Sequence, residues 1–243
     1  MEFPTTHWSQ LALATLHGGS DASAALGEFY RRYREPVRFF LLRRGIAPDR
    51  VDDLTHDFFV HLMEKSTLGR ADATRGKFRT FLLGSLVRFL GDVRDRANAA
   101  KRGHGATPLS LDADDNAWAE PTVPAATATE FDREWALRVL TLALQRLEQD
   151  HASRGEAAKF AALRAYLPGV ASSPPYEDTA ARLEISLPAL KSEVHRLRQR
   201  FRAAIRAELA GTVSSPTEID DELAYLGQVL RSAGGTSRLD ETP

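Results

Sequence analysis

The chain has 243 residues, of which 43% are hydrophobic and 27% charged, and it contains no cysteine. This length allows one large or two small globular domains, and we expect two. The absence of cysteine excludes disulfides and cysteine-ligated zinc and fits a reducing cytoplasm, while a formal net charge of only −1 means that any argument for a nucleic-acid partner must rest on local charge.

No stretch of the chain has the pattern of a membrane-directed segment. The first residues lack a basic region followed by an uninterrupted apolar core, so we expect no signal peptide. No run reaches the roughly 18 to 20 apolar residues that a membrane-spanning helix needs. We therefore expect a cytoplasmic protein without a membrane partner.

The first predicted helix runs from Asp21 to Gly45. Its apolar residues recur at steps of three and four, as on one side of an amphipathic helix. Pro36 is expected to kink or interrupt this helix. Gly45 follows two arginines, and this combination is typical of a helix end with a left-handed glycine cap.

Two further helices are predicted to complete an N-terminal bundle. The helix from Pro48 to Lys65 has an apolar side and an outer side that carries several carboxylates. The helix within residues 75–103 buries a stripe of phenylalanine and leucine and leaves its basic residues outside. Phe78 and Phe81 are expected in the core, with support of an unstacked base as a second role for either.

The segment 103–130 interrupts the helical pattern with prolines and many small and acidic residues, and we interpret it as an interdomain linker. Helical patterning resumes over 131–150 and 155–167. Two helices, from Tyr176 to Leu183 and from Leu187 to Leu209, then flank a short turn, as in a helix-turn-helix. Ser186 is predicted to cap the second of these helices.

The second helix of this pair is locally basic. Between Leu187 and Ala207 it has six lysines and arginines against one acid, Glu193. A helix that enters the major groove of DNA needs this excess of positive charge. A solvated arginine-rich face on a helical hairpin is the alternative interpretation.

The residues after Ala210 predict one more short helix with an apolar stripe, which includes Ile219, Leu223, Leu226 and Leu230. This stripe is expected to pack on the preceding helix-turn-helix domain. The alternative is that it covers another surface until a partner displaces it. The last ten residues are expected to be disordered.

Three stretches in this order resemble an extracytoplasmic-function (ECF) sigma factor, a bacterial RNA polymerase specificity subunit. They are DDLTHDFFVHLMEK, GKFRTFLLGSLVRFL and, after the linker, YEDTAARLEISLPALKSEVHRLR, and the resemblance covers residues 10–209. It implies an all-α fold: a polymerase-docking and minus-ten domain over 1–102, a linker over 103–130, a helix-turn-helix minus-thirty-five domain over 131–210, and a C-terminal extension over 211–243.

The resemblance also implies partners and site residues. Core RNA polymerase, through its β′ clamp helices and β flap, and promoter DNA are the implied partners, and the resemblance leaves open whether an anti-sigma protein controls the chain. Polymerase docking is implied for Asp52, Asp53 and Asp57, and minus-ten contacts for Lys77, Arg79 and Arg88. The recognition helix would read the groove with Lys191, Ser192, His195 and Arg196 and hold phosphates with Arg198, Arg200 and Arg202.

Three positions depart from the family pattern. Arg50 stands where relatives commonly have an acid, so the docking patch is expected to be weaker or paired differently. Glu184 occupies the turn position that favours glycine, which predicts a slightly strained turn. Glu193 stands where many relatives carry a basic residue, and it either accepts a hydrogen bond from cytosine N4 or faces away.

Two other functions are alternatives to this interpretation. A helix-turn-helix regulator that binds operators without polymerase would explain residues 176–209 but not the acidic helix followed by an arginine-lined one. The dipeptide His56–Asp57 occurs in helical metal-dependent phosphohydrolases, but such a site needs further ligands on neighbouring helices. We expect no enzyme, and hence no catalytic residues, metal ligands or cofactors.

Overall fold

The computed structural model of the protein describes residues 20–64, 78–101, 125–169, 172–213 and 216–235. These residues form helices and their connections, with no strand among them, so the predicted all-α class is confirmed. The helices are α1 (Ser20–Arg43), α2 (Pro48–Glu64), α3 (Phe78–Lys101), α4 (Ala125–Ser153), α5 (Ala157–Leu163), α6 (Tyr176–Arg182), α7 (Leu187–Ala210) and α8 (Pro216–Gly235), with a 3₁₀ turn at Arg164–Tyr166.

The chain forms two compact units. The first consists of Met1–Ala136 together with Gly211–Pro243, and the second is Leu137–Ala210. The second unit ends where the predicted helix-turn-helix domain ends, but it begins six residues later. Most of the predicted linker lies outside the described residues, and its final part, from Ala125 onwards, is already the first part of α4.

Aromatic side chains fill the core of the first unit. The rings of Tyr33 and Trp135 stack with centroids 4.8 Å apart and planes 8° from parallel. Phe78 is buried against Phe29 and Tyr33, with centroid distances of 5.5 and 5.0 Å, which confirms its expected core position. Offset and edge contacts of this kind stabilise a core beyond the apolar area that they bury.

The helix α1 continues through Pro36, so the predicted interruption does not occur. A proline removes one backbone donor from the helix, and here the buried residues Tyr33 and Val37 hold the surrounding turns. The predicted end at Gly45 is confirmed. Gly45 has φ +80°, and Ile46 N donates to the Leu41 carbonyl at 3.1 Å, as in a glycine-capped helix end.

The C-terminal helix α8 belongs to the first unit. Its Ile219, Leu226 and Val229 are buried, so the predicted apolar stripe is a buried face. The expectation that this stripe packs on the helix-turn-helix domain is therefore wrong. The buried Glu222 of α8 also pairs with Arg79 of α3 in the same unit.

The second unit has its own core, formed by α4 after Ala136, α5, α6 and α7. Phe160, Leu163, Leu190, Val194 and other apolar residues meet in it. The buried Tyr166 hydroxyl lies 2.8 Å from Thr179 Oγ1 and 3.2 Å from the Pro175 carbonyl oxygen. This pairing satisfies buried polar groups and connects the 3₁₀ turn to the first residues of α6.

The turn between α6 and α7 has the geometry that the sequence predicts. Glu184 has φ +53°, Glu184 N donates to the Ala181 carbonyl, and Ile185 N donates to the Ala180 carbonyl, both at 3.1 Å. Ser186 Oγ accepts a hydrogen bond from Ala189 N at 3.3 Å and caps α7. A residue with a Cβ is strained in this left-handed conformation.

Replacing Glu184 with glycine is expected to stabilise the second unit by about 0.5–1 kcal/mol, because the relief of left-handed strain exceeds the added chain entropy of glycine. Slower amide exchange of Leu190 and Val194 would measure this gain. Gly155→Ala is the matched control: Gly155 has φ +73° and open space at its Cβ position, so alanine there is expected to destabilise by about 1 kcal/mol. Unchanged or faster exchange in Glu184→Gly would contradict the strain.

Candidate nucleic-acid interface

One side of α7 is buried and the opposite side is exposed. Leu190, Val194, Leu197 and Phe201 face the core of the second unit, because their three- and four-residue spacing follows one side of the helix. Apart from the half-buried Glu193, the residues between them are exposed, and they include all seven predicted to contact the minus-thirty-five element: Lys191, Ser192, His195, Arg196, Arg198, Arg200 and Arg202.

Several of these exposed side chains already make contacts within the unit. Ser192 Oγ donates to the Pro188 carbonyl at 3.1 Å. Arg198 Nε donates to the Tyr166 carbonyl at 3.0 Å, so this guanidinium is anchored beside the 3₁₀ turn. An anchored arginine keeps its remaining N–H groups for another acceptor, which suits a fixed phosphate contact.

Glu193 lies between two cations. Its carboxylate is 3.1 Å from Lys159 Nζ on α5 and 2.8 Å from Arg196 Nη2 on α7. Partial burial alone would raise the pKa of Glu193, but the hydrogen bonds from Arg196 and Lys159 outweigh this effect and lower it. The charged form is therefore favoured, and the carboxylate is turned towards its own unit, which corresponds to the second of the two alternatives given above.

The three acidic residues predicted to dock on polymerase lie on α2 and are all exposed, but they are not equivalent. Asp52 Oδ1 lies 3.0 Å from both Arg34 Nη2 and Arg38 Nε of α1. Asp53 and Asp57 form no ion pair with any described residue. Since they are four positions apart, they share one side of α2, and they present unneutralised negative charge.

The basic residues predicted to contact the minus-ten element have different positions. Lys77 lies outside the described residues, and Arg88 is half-buried on α3. Arg79 is 7% exposed and is surrounded by protein groups, so the prediction that it holds DNA phosphates is wrong for this arrangement. Its position at the start of α3 directs the side chain into the unit instead of into solvent.

Arg79 is the centre of a cluster from three helices. Its Nε lies 2.7 Å from Asp132 Oδ1 of α4, Nη1 pairs with Glu222 Oε1 of α8, and the guanidinium lies 4.8 Å from the Tyr225 ring centroid. Tyr225 donates its hydroxyl hydrogen to Asp132 Oδ2. Burial and this hydrogen bond raise the pKa of Tyr225, which keeps it a donor.

The sequence pattern does not indicate that Lys159, Asp132, Glu222 and Tyr225 are functional or structural partners. No local pattern could find them, because each acts on a residue of a separate helix. The weak signals are single charged residues within otherwise apolar stripes: Asp132 follows Phe131, and Glu222 lies between Ile219 and Leu226. A charge at such a position is buried only when it is paired.

The described part of the chain has neither a cluster of metal ligands nor a helix that could cross a membrane. Among those residues, no three histidine, aspartate or glutamate side chains come together as a metal site would require. None of the helices in the described ranges is both long enough and apolar enough to cross a membrane.

Comparison with known proteins finds no family model, no curated protein and no solved structure that matches the chain.

Proposed function

We propose that the chain is a bacterial sigma factor of the ECF kind. It would bind core RNA polymerase, direct it to specific promoters and assist strand separation, while the polymerase carries out RNA synthesis. The chain itself would supply binding energy and no catalytic group. This function accounts for both the acidic helix of the first unit and the basic helix of the second.

The observation that carries the proposal is the exposed face of α7. Lys191, Ser192, His195 and Arg196 lie exposed on a helix whose opposite face is buried and whose start is fixed by the Glu184 turn and the Ser186 cap. A rigidly held helix with exposed hydrogen-bonding side chains near its start suits base reading in the major groove. Arg198, Arg200 and Arg202 add charges for phosphate binding.

The acidic face of α2 supports a protein partner for the first unit. Asp53 and Asp57 are exposed on one helical side and would meet basic groups, as in the docking of sigma factors on the β′ clamp helices. Opposite charges across such an interface increase association rates and fix the register. Because Arg79 is buried, Arg88 and Lys77 are left as candidates for minus-ten contacts in this part of the proposal.

The first experiment is a pull-down of bacterial core polymerase with the purified chain, followed by run-off transcription from a genomic fragment library. Stable binding and new transcription start sites are expected. The opposite result is no core binding together with tight, specific binding of duplex DNA by the chain alone. That result would replace the sigma-factor proposal with the operator-binding regulator.

Arg196→Ala is expected to weaken promoter discrimination by about 1–3 kcal/mol, the value of one good bidentate base contact. Transcription from a library randomised in the minus-thirty-five element would measure it as lost preference at one base pair. Arg200→Ala, which removes a proposed phosphate contact, serves as control: binding should weaken for all sequences alike, with a smaller salt dependence. An unchanged base preference in Arg196→Ala would exclude its reading role.

A further inference from the structure

The carboxylate of Glu193 connects the exposed helix α7 to a different helix. One oxygen, Oε1, contacts both Lys159 Nζ of α5, at 3.1 Å, and Arg196 Nη2, at 2.8 Å. Lys159 also lies 3.6 Å from Glu156 Oε1. Through Glu193, the orientation of the Arg196 side chain thus depends partly on Lys159, a residue of another helix.

Arg196 is the most exposed of the three side chains joined by these contacts, and Glu193 is the least exposed. The side chain of Glu193 is 25% exposed, that of Lys159 33%, and that of Arg196 56%. Arg196 is therefore the outermost group, and the carboxylate that holds it is recessed beside the helix. This order suits a support for Arg196 better than a direct contact between Glu193 and an external ligand.

The positive charge of Lys159 offsets the negative charge of Glu193, which would otherwise weaken binding to DNA. A lone carboxylate on a DNA-facing helix would repel phosphates. Here Lys159, Glu193 and Arg196 carry +1, −1 and +1, so these three residues together are positive, and the longer contact of Lys159 with Glu156, at 3.6 Å, offsets part of this charge. The acid is tolerated because a cation from α5 neutralises it.

The contact with Glu193 leaves Arg196 able to bind a base. A guanidinium has five N–H donors, and the hydrogen bond to Glu193 uses one Nη2 hydrogen. The remaining donors suffice for a bidentate contact with guanine O6 and N7. A free arginine would lose side-chain entropy when it binds, whereas one already held by a carboxylate loses less.

We propose that Glu193 is a positioning residue that holds Arg196 in its base-reading orientation, and that Lys159 in turn holds Glu193. The proposal rests on the proposed function, in which Arg196 reads a base of the promoter. It assigns sequence preference to two residues that do not themselves contact DNA. In the opposite role, Glu193 would withdraw Arg196 from DNA, and replacing Glu193 would then strengthen the base preference.

The test measures base preference with the full-length chain. Holoenzymes containing wild type, Glu193→Gln, Lys159→Met or Glu156→Gln transcribe a promoter library randomised in the minus-thirty-five element. Glu193→Gln is expected to reduce the preference at the Arg196-dependent base pair about threefold to tenfold, the effect of ordering one long side chain. Lys159→Met should reduce preference at the same base pair, and Glu156→Gln should leave it unchanged.

A double-mutant cycle separates positioning from general electrostatics. In an Arg196→Ala background, adding Glu193→Gln should not change base preference further, because the group to be positioned is absent. A uniform change in binding to all sequences would overturn the proposal and indicate a charge effect only. A stronger preference in Glu193→Gln would also overturn it and indicate that the carboxylate withdraws Arg196.

The same variants also separate this proposal from the proposed function. Selection of duplexes from the same library by the chain alone measures base preference without polymerase. Absence of core binding by the wild type would reject the sigma-factor proposal, while the duplex selection would still test Glu193. If Arg196→Ala leaves base preference unchanged in both assays, the positioning role is rejected whatever the polymerase result.

Discussion

Replacing Arg79 with methionine is expected to lower the free energy of unfolding of the first unit by about 3–5 kcal/mol. The substitution leaves two buried carboxylates, Asp132 and Glu222, without the cation that pairs with both. Urea unfolding followed by tryptophan fluorescence would measure the loss. The three tryptophans, Trp8, Trp118 and Trp135, all lie within residues 1–136, so this signal reports on the first unit.

Two control variants identify the cause of this loss. Arg31→Met removes an exposed arginine that pairs with Glu28 at 2.7 Å, and exposed pairs of this kind are worth about 1 kcal/mol or less. The triple variant Arg79→Met, Asp132→Leu and Glu222→Leu should recover much of the stability, because it removes all three buried charges together. Near-normal stability in Arg79→Met combined with weak promoter opening would instead support a phosphate contact by Arg79.

Reversing the charges of Asp53 and Asp57 to arginine is expected to weaken binding to core polymerase by about 3 kcal/mol or more, roughly 100-fold. In the wild type the two aspartates would face basic groups of the polymerase. After the reversal, arginines would face those same basic groups, and such contacts between like charges cost several kcal/mol. The affinity is best measured at low ionic strength, because salt screens exposed charges. Asp52→Arg is the less informative variant, since it would place a third arginine beside Arg34 and Arg38.

The control for this charge reversal is Asp92→Arg with Asp95→Arg. Both aspartates are exposed on α3 in the same unit, and the variant has the same change in net charge. Its core binding should stay close to that of the wild type. Equal losses in the two double variants would show that net charge, and not the acidic face of α2, controls binding.

The periodicity of apolar residues predicts most of the helices well. The second helix was expected over Pro48 to Lys65 and is observed over Pro48–Glu64, and the recognition-helix candidate begins at Leu187 in both cases. Local signals also predict the helix end at Gly45, because caps depend on a few adjacent residues. The strained turn at Glu184 was expected from the family resemblance, in which this turn position favours glycine. These features are determined by residues within one or two helical turns.

The features that the sequence did not reveal all depend on contacts between distant residues. An amphipathic stripe predicts that α8 has a buried face, but it does not specify which surface receives that face. Arg79 follows Phe78 at the start of α3 and looks exposed in the pattern, yet two distant carboxylates stabilise it in a buried position. For the same reason, the sequence does not reveal that Asp52 is paired while Asp53 and Asp57 are not, because only the fold brings Arg34 and Arg38 beside Asp52.

The membership of α8 in the first unit has a consequence for the order in which the chain matures during synthesis. At about 5 to 20 residues per second, the 143 positions between Arg79 and Glu222 take about 7 to 30 s to translate. The second unit, a continuous segment, is synthesised entirely within that interval and can fold first. The unit that contains the N-terminal helices would therefore be completed last. Until then Arg79 and Asp132 would lack Glu222, the third charged residue of their cluster.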